Sequence, residues 1–489
     1  MNLRLICRIL GLLLAILCLF MGICIAYAYF QTPRETVAIE AFAKTIAFLL
    51  LTSGLFFYVG RNATNVLLRK EAIAVVGLSW ICCANAGALP YYLMDEGLGF
   101  VDAVFESMSG FTTTGATVIE DLEEYPRSIL LWRAITQWLG GLGILVLFVA
   151  LLSYLGVGSK ALFSNESSAQ STQGLQSRIN DIALKLWQIY LLLTLVCFVG
   201  LFVLGMTPFQ SITYALTAVS TGGFGIDNTS VAAYDSPTIE LWLTLFMILG
   251  SISFILYAWL LQRKWERWKM EEEAKWFLGI IAVCTIAIAI DLVLRSHAET
   301  SFLMGLRLSI FHVVSIITTT GFVATDYNNW DPFSKILLLM LMCLGGCAGS
   351  TAGGLKIGRW ILFVKVLQQQ ITNAYRPTQV LSLRLNGQSI KPGVRSQTLF
   401  LLTLGGAAAM IGTAMVSILE PHLDMDSSLS ATLACLFNIG PGISQVGPTE
   451  NFAFLGAPTK ILLTLLMLLG RLEFFAVLVL FSPTLWKTY

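Results

Sequence analysis

Four short segments of this chain carry small polar or amide side chains and end on glycine: Thr113-Thr114-Gly115, Ser220-Thr221-Gly222, Thr319-Thr320-Gly321 and Asn438-Ile439-Gly440. Each closes an amphipathic run and opens an irregular stretch. Successive copies stand roughly a hundred residues apart, which predicts four copies of one unit around a common axis. Glycine adopts positive φ and lets backbones approach closely, so such a segment can turn its carbonyls toward that axis. Rings of backbone carbonyls are how a protein replaces the water shell of a monovalent cation. One aligned glycine per copy offers few coordinating layers, hence few bound ions and loose discrimination among large monovalent cations.

Two further registers depend on the first. Five residues beyond the glycines stand Glu120, Asp227, Asp326 and Gln445. Three carboxylates and an amide at one offset would ring an outer vestibule and concentrate cations there, less so as salt rises. The competing reading is that the loops on this side are acidic throughout. Further along, Leu139-Gly140-Gly141, Leu249-Gly250-Ser251, Leu344-Gly345-Gly346 and Leu469-Gly470-Arg471 repeat a small-residue patch. Such patches permit close helix packing, or a break beside a cavity.

Arg471 stands where the other copies have Gly or Ser. A charge at membrane depth faces the interior or a water-filled path. On an ion path it opposes cation passage until it moves; the alternative is a pair with a carboxylate from a neighbouring helix. Glu473, two residues on, lies off that helix face. The stretch from Gly345 to Gly354 (GGCAGSTAGG) holds Gly345, Gly346, Gly349, Gly353 and Gly354 and no large side chain. It cannot sustain a helix, and with Arg471 it is expected to form a gate below the carbonyl ring. A phosphate-binding loop is the rival reading, but Leu355-Lys356-Ile357 lacks the Lys-Ser/Thr such a loop needs. The run from Ile357 to Gln370 would carry movement of this loop toward the cytoplasm.

The elements that must position these groups are apolar. The 489 residues are 56% hydrophobic and 12% charged, with mean hydropathy +0.77; soluble domains carry about 25% charged residues. The chain therefore reads as polytopic in a membrane. A net charge of +1 gives no case for a nucleic-acid partner. Ten cysteines, without a CxxC pair, and three histidines predict neither a metal site nor a disulfide framework. Cys343 and Cys347, four apart, read as packing residues on one helix. A membrane enzyme would need Asp, Glu or His clustered at one interface, whereas the acidic residues are spread over loops. Asp291, near a span end, reads as interfacial rather than as a proton relay. That favours electrodiffusion and leaves coupling to H⁺ or Na⁺ open.

Apolar windows of about twenty residues mark spans. They fall near 9–29, 38–60, 71–93, 133–157, 183–206, 238–262, 276–294, 335–365, 397–419 and 459–482. Shorter amphipathic runs at 100–111, 208–219, 302–318 and 427–437 cannot cross and read as re-entrant half-helices. The predicted unit is helix, half-helix, loop, helix, repeated four times behind two N-terminal helices: an all-α polytopic membrane protein around one central pore. Arg4, Arg8, Arg61, Lys70, Arg178, Arg267, Arg376 and Arg395 fall on one face if ten spans alternate, and Asp121, Glu123, Asp235, Asp331 and Glu420 on the other. Both termini are then expected in the cytoplasm, with the four loops opening outward. The first apolar run ends near Ala26-Tyr27-Ala28, as a cleaved signal peptide would, but is long enough to be retained. The inside loops from Gly158 to Ile182 and Gln368 to Ser396 are candidate docking surfaces for a soluble partner.

SGFTTTGAT (109–117), STGGFG (220–225), TTTGF (318–322) and FNIGPG (437–442), with QWLGGLGI (137–144) and LGRLEFF (469–475), resemble the Trk/Ktr/HKT superfamily of cation uptake proteins, closest to its bacterial TrkH branch. The resemblance covers nearly the whole chain. It implies potassium as substrate and no cofactor bound by this chain. It also implies a homodimer in the bacterial inner membrane and a cytosolic nucleotide-binding regulatory ring, TrkA-like. An arginine at the position of Arg471 belongs to the same pattern, and a serine in place of Gly115 would mark a more Na⁺-permeable relative. The expected division is 1–69 for the N-terminal helices, then repeats over 70–160, 161–265, 266–372 and 373–489.

Overall fold

Hydropathy decides where this chain forms long helices, and glycine and serine decide where they break. The computed structural model describes residues 1–63, 69–141, 179–295, 301–376, 382–390 and 392–483. Two N-terminal helices, Leu3–Phe30 and Thr36–Gly60, pack along their length. Close approach is allowed by Gly11, whose carbonyl accepts a 2.7 Å bond from Ser53 Oγ. In the turn between them, the Glu35 carboxylate accepts from the N–H groups of Arg127 and Ser128 at 2.9 and 3.0 Å. An anion at a helix N-terminus meets both free donors and the positive end of the dipole. This fastens the N-terminal pair to the first repeat.

Four outer helices follow at Arg69–Leu93, Ile179–Val203, Glu273–Arg295 and Pro392–Leu419. Each leads to a short half-helix: Phe100–Phe111, Pro208–Val219, Phe302–Ile317 and Met425–Leu436. Three of these have 12 residues, about 18 Å of helix against a hydrocarbon core of about 30 Å. They stop partway, as expected. Thr207 closes a capping box with Gln210, and Ser301 and Asp424 cap the third and fourth. Four inner helices, Arg127–Gly141, Pro237–Ser251, Pro332–Met342 and Ala457–Arg471, return from loops whose last residues bring a proline to the helix start. Proline fits there because the first helical N–H has no partner anyway.

The inner helices depart from the expected continuous spans. The second bends by 89° at Ile252-Ser253 before Phe254–Leu261. The third stops at Met342 and resumes only at Ile357. The fourth breaks after Arg471, where Glu473 and Phe474 take positive φ, and resumes at Phe475–Leu480. Among the described residues six helices are long and apolar enough to cross a membrane, seven with the bent pair. Cys343 ends its helix and Cys347 sits in the loop, so they do not share a helix face. Asp291, near the end of its span, is itself buried: it accepts a 2.7 Å bond from Ser334 and pairs with the exposed Arg295 at 3.1 Å. The expected span beyond Gly141 and most of the loop from Gly158 to Ile182 lie outside the described residues.

Beyond the third inner segment, Arg384–Leu385 and Gln388–Ser389 form a two-stranded hairpin turned by Asn386 and Gly387, both at positive φ. Asn-Gly is the residue pair such a turn demands. It docks beside the start of the third outer helix, where Asn386 Oδ1 accepts from the Glu272 N–H at 2.8 Å.

Candidate functional site

Every half-helix ends in the same way. Thr113, Thr221, Thr319 and Asn438 take φ of 54°, 53°, 56° and 57°, and each N–H bonds the carbonyl three residues back: Gly110, Ala218, Ile316 and Cys435. The next residues, Thr114, Gly222, Thr320 and Ile439, each bond five residues back, to Ser109, Thr217, Ser315 and Ala434. Positive φ then returns at Gly115, Gly223, Gly321 and Gly440. The second segment therefore corrects the expected register by one residue. Gly223, with φ 77°, is the counterpart of Gly115, and Gly222 is the counterpart of Thr114. STGGFG offers two consecutive glycines, and only the backbone conformation distinguishes them.

These four segments converge in order. A Cβ built on Gly115 would lie under 3.0 Å from the carbonyl oxygen of Gly222, one on Gly223 from that of Thr320, one on Gly321 from that of Ile439, and one on Gly440 from that of Thr114. The approaches run first to second, second to third, third to fourth and fourth to first, so they close a ring. Each glycine is required twice, for its φ and for the neighbouring carbonyl that fills the place of a side chain. Thr113, Thr114, Ser220, Thr221, Thr319, Thr320, Asn438 and Ile439 are fully buried around this ring.

A polar shell missed by the sequence reasoning braces the ring from behind. Nine residues before Gly115, Gly223 and Gly321 stand Glu106, Tyr214 and His312. Glu106 accepts from the Val118 N–H and pairs with Arg133 Nε at 2.7 Å, both side chains fully buried. Arg133 reaches on to the Gly225 carbonyl at 3.0 Å and lies over the Phe224 ring, tying the first loop to the second. Tyr214 donates to Asp227 and to the Ser230 carbonyl, and His312 Nε2 stands 3.1 Å from the Thr325 carbonyl. The fourth repeat has Ala431 at this offset, and Ser430 bridges to Ile443 instead. The fixed offset from the glycine was the available signal.

The outer ring changes with the register. Asp227 is held by the hydroxyls of Tyr214 and Tyr234 at 3.3 and 3.0 Å. The residue five beyond Gly223 is Asn228, which donates to Asp121 and accepts from the Leu122 N–H. Glu120, Asp326 and Gln445 keep their expected offset, so the set holds two carboxylates rather than three.

Below the ring lies the Gly345–Gly354 loop, non-helical throughout. The Thr351 N–H donates to the Gly250 carbonyl at 3.2 Å, and its hydroxyl donates to Val219 and Gly250 carbonyls at 3.1 and 2.9 Å. Gly353 N–H donates to Thr319 Oγ1 at 2.6 Å, so the loop touches the lowest layer of the ring. Glu273 anchors it from outside by accepting the Ala348 N–H at 2.8 Å. Arg471 spans the space beneath. Its Nη1 donates to the Thr351 carbonyl at 3.0 Å and its Nη2 to Gly140 and Gly141 carbonyls at 2.5 and 2.8 Å. It thus links the fourth repeat to the first and third, and Glu473 pairs with Arg359 at 2.5 Å. Gly345 meets the Gly353–Gly354 backbone, and Gly346 packs against the Ser251 carbonyl; Gly349 and Gly354 take φ of 75° and 67°.

Among the described residues no group of three His, Cys, Asp or Glu could hold a metal ion. The family model for cation transport proteins of the TrkH type matches residues 38–488. The Trk system potassium uptake protein TrkH of Escherichia coli (strain K12) is 34% identical over the full length of both chains. TrkG of the same organism is 30% identical, over 94% of this chain and 96% of its own. The crystal structure of the potassium transporter TrkH from Vibrio parahaemolyticus superposes with a TM-score of 0.88 at 32% identity, covering all of both chains. With a closed ring of four glycine-ended segments inside a fold that superposes over its whole length, this polytopic membrane protein belongs to the TrkH family of cation transport proteins.

Proposed function

We propose that this chain is the ion-conducting subunit of a potassium uptake system in the bacterial cytoplasmic membrane. The single observation that carries the reading is the cyclic contact of Gly115, Gly223, Gly321 and Gly440 with the carbonyls of Gly222, Thr320, Ile439 and Thr114. A narrow, water-poor ring of backbone oxygens suits K⁺ and Rb⁺, which give up their hydration shells more readily than small ions. The full-length relatives are themselves named potassium uptake proteins. Glu120 and Asp326 at the outer mouth raise the local cation concentration.

The gate is the Gly345–Gly354 loop with Arg471. A guanidinium bridging opposite walls puts positive charge and bulk on the path, and the carbonyls of Gly140, Gly141 and Thr351 hold it there. Conduction requires the loop to withdraw and Arg471 to release those carbonyls. No cofactor takes part in this chain. Control comes from a cytosolic nucleotide-binding ring docking on the face that carries Arg61, Arg267 and Arg376, with both termini on that side, and two chains, each with its own carbonyl ring, assemble as a homodimer. Asp291 is held by Ser334 and Arg295, and this structural pairing favours electrodiffusion over H⁺ coupling.

Uptake of ⁸⁶Rb⁺ by potassium-starved cells that lack their own uptake systems tests this. The wild-type chain supports uptake, and Gly115→Asp, present in the membrane at equal abundance, abolishes it. Unchanged uptake by Gly115→Asp removes the carbonyl ring as the path.

A further inference from the structure

The middle position of the ring is not equivalent in the four repeats. Thr114, Thr320 and Ile439 are β-branched, whereas the second repeat has Gly222. Gly222 has no positive φ, so its backbone does not require glycine. What excludes a side chain there is Gln137. A Cβ on Gly222 would fall under 3.0 Å from three atoms of the Gln137 side chain. Gln137 comes from the inner helix of the preceding repeat and is fully buried. Its Nε2 donates to the Gly222 carbonyl at 2.7 Å, and its Oε1 accepts from the Phe224 N–H at 3.0 Å. The two bonds straddle Gly223.

Aligning the inner helices on Gly140, Gly250, Gly345 and Gly470 places methionine at the Gln137 position in the other three (MILG, MCLG and MLLG against QWLG). Going round the ring, methionine precedes each β-branched middle residue, and glutamine precedes the glycine. Among the described residues, the Gly222 carbonyl alone of the four middle carbonyls accepts a side-chain donor.

Resting on the potassium-filter reading, the geometry points to Gln137 as a positioning residue for ion selectivity. It stands in for the side chain missing at 222, stiffens the Gly222-Gly223 pair, and fixes the direction of one carbonyl of the ring. A glycine pair without this clamp is free to tilt its carbonyl inward and close on a smaller ion. The amide donor also draws electron density from that oxygen, which lowers its field and disfavours Na⁺.

The test uses ⁸⁶Rb⁺ uptake by cells that lack their own potassium uptake and express the full chain, with Na⁺ as competitor and membrane abundance followed by immunoblot. Gln137→Glu keeps the acceptor for Phe224 and loses the donor; Gln137→Met loses both. Loss of one net hydrogen bond predicts Na⁺ competing about three- to tenfold more strongly in Gln137→Glu, and loss of both predicts at least as large a change in Gln137→Met. The double variant Gln137→Met/Gly222→Thr, which installs the pairing of the other repeats, should return competition toward wild type. Wild-type competition in both single variants overturns the assignment. So does loss of all uptake at normal abundance that the double variant does not recover, since that marks a purely structural role. Uptake lost in the single variants and recovered with wild-type competition in the double supports it. A wild-type chain that takes up no Rb⁺ rejects the filter reading itself, separately from Gln137.

Discussion

Arg471 and Gly223 carry the sharpest single-residue consequences. Arg471 makes three charge-assisted bonds to carbonyls. Hydrogen bonds to charged groups contribute about 1.5–3 kcal/mol each, and 1.4 kcal/mol is a factor of ten. Arg471→Gln should therefore raise resting ⁸⁶Rb⁺ uptake, measured without the proposed cytosolic partner, by about tenfold or more. Gly223→Ala forces a side chain into positive φ and onto the Thr320 carbonyl, so uptake should be lost although the chain still reaches the membrane. The existence of four glycine-ended segments was legible from residue types and spacing, because few other patterns put hydroxyls before glycine three times and add Asn438-Ile439-Gly440 at a similar interval. Choosing between Gly222 and Gly223 was not, since spelling alone does not distinguish a glycine needed for φ from one emptied for a neighbour. The same ambiguity puts Asp227 at the expected outer-ring offset, where Asn228 stands in the corrected register and Asp227 is held by the hydroxyls of Tyr214 and Tyr234.

At the scale of elements, the half-helices were plain from their amphipathic length, and the outer helices from hydropathy. The breaks in the inner helices were half legible. Five glycines marked the third, but at the bend at Ile252-Ser253 and the reversal at Glu473-Phe474 the patches ending Gly250-Ser251 and Gly470-Arg471 left close packing and a break equally open. The Glu106–Arg133 pair joins a half-helix to an inner helix with neither side chain exposed. Removing one partner strands a buried charge, at a cost of about 3–5 kcal/mol. Arg133→Met should lower the thermal stability of the purified protein sharply, and the double variant with Glu106→Gln should recover much of it. Near the hairpin, burial pushes the Glu271 carboxyl up to about 7, with Glu273 adding like-charge repulsion. A carboxyl raised on folding binds its proton more tightly in the native state, so this contribution falls as pH rises from about 4.5 to 7. Protection of residues 384–389 from hydrogen exchange, after correction for the intrinsic pH dependence of the exchange rate, should be greater at pH 5.5 than at pH 8, and Glu271→Gln should flatten the difference.

Considered as one molecule, the hairpin and the loop beneath the ring are joined through a short path. The hairpin holds Glu272 through Asn386, and Glu272 also pairs with Lys365. The adjacent Glu273 grips Ala348 in the loop beneath the ring. Glu273→Gln keeps an acceptor but gives up the charge. It should weaken the response of Rb⁺ uptake to the proposed cytosolic partner while leaving binding of that partner, measured by co-purification, unchanged. The closed contact from first repeat to fourth and back to first has a different kind of consequence. A pore assembled from identical subunits repeats every mutation fourfold, and mixed assemblies blur its effect. In the pore we propose, one gene writes each wall separately, so a single codon retunes one quarter of the opening, and inheritance can adjust selectivity in small steps without passing through hybrid pores.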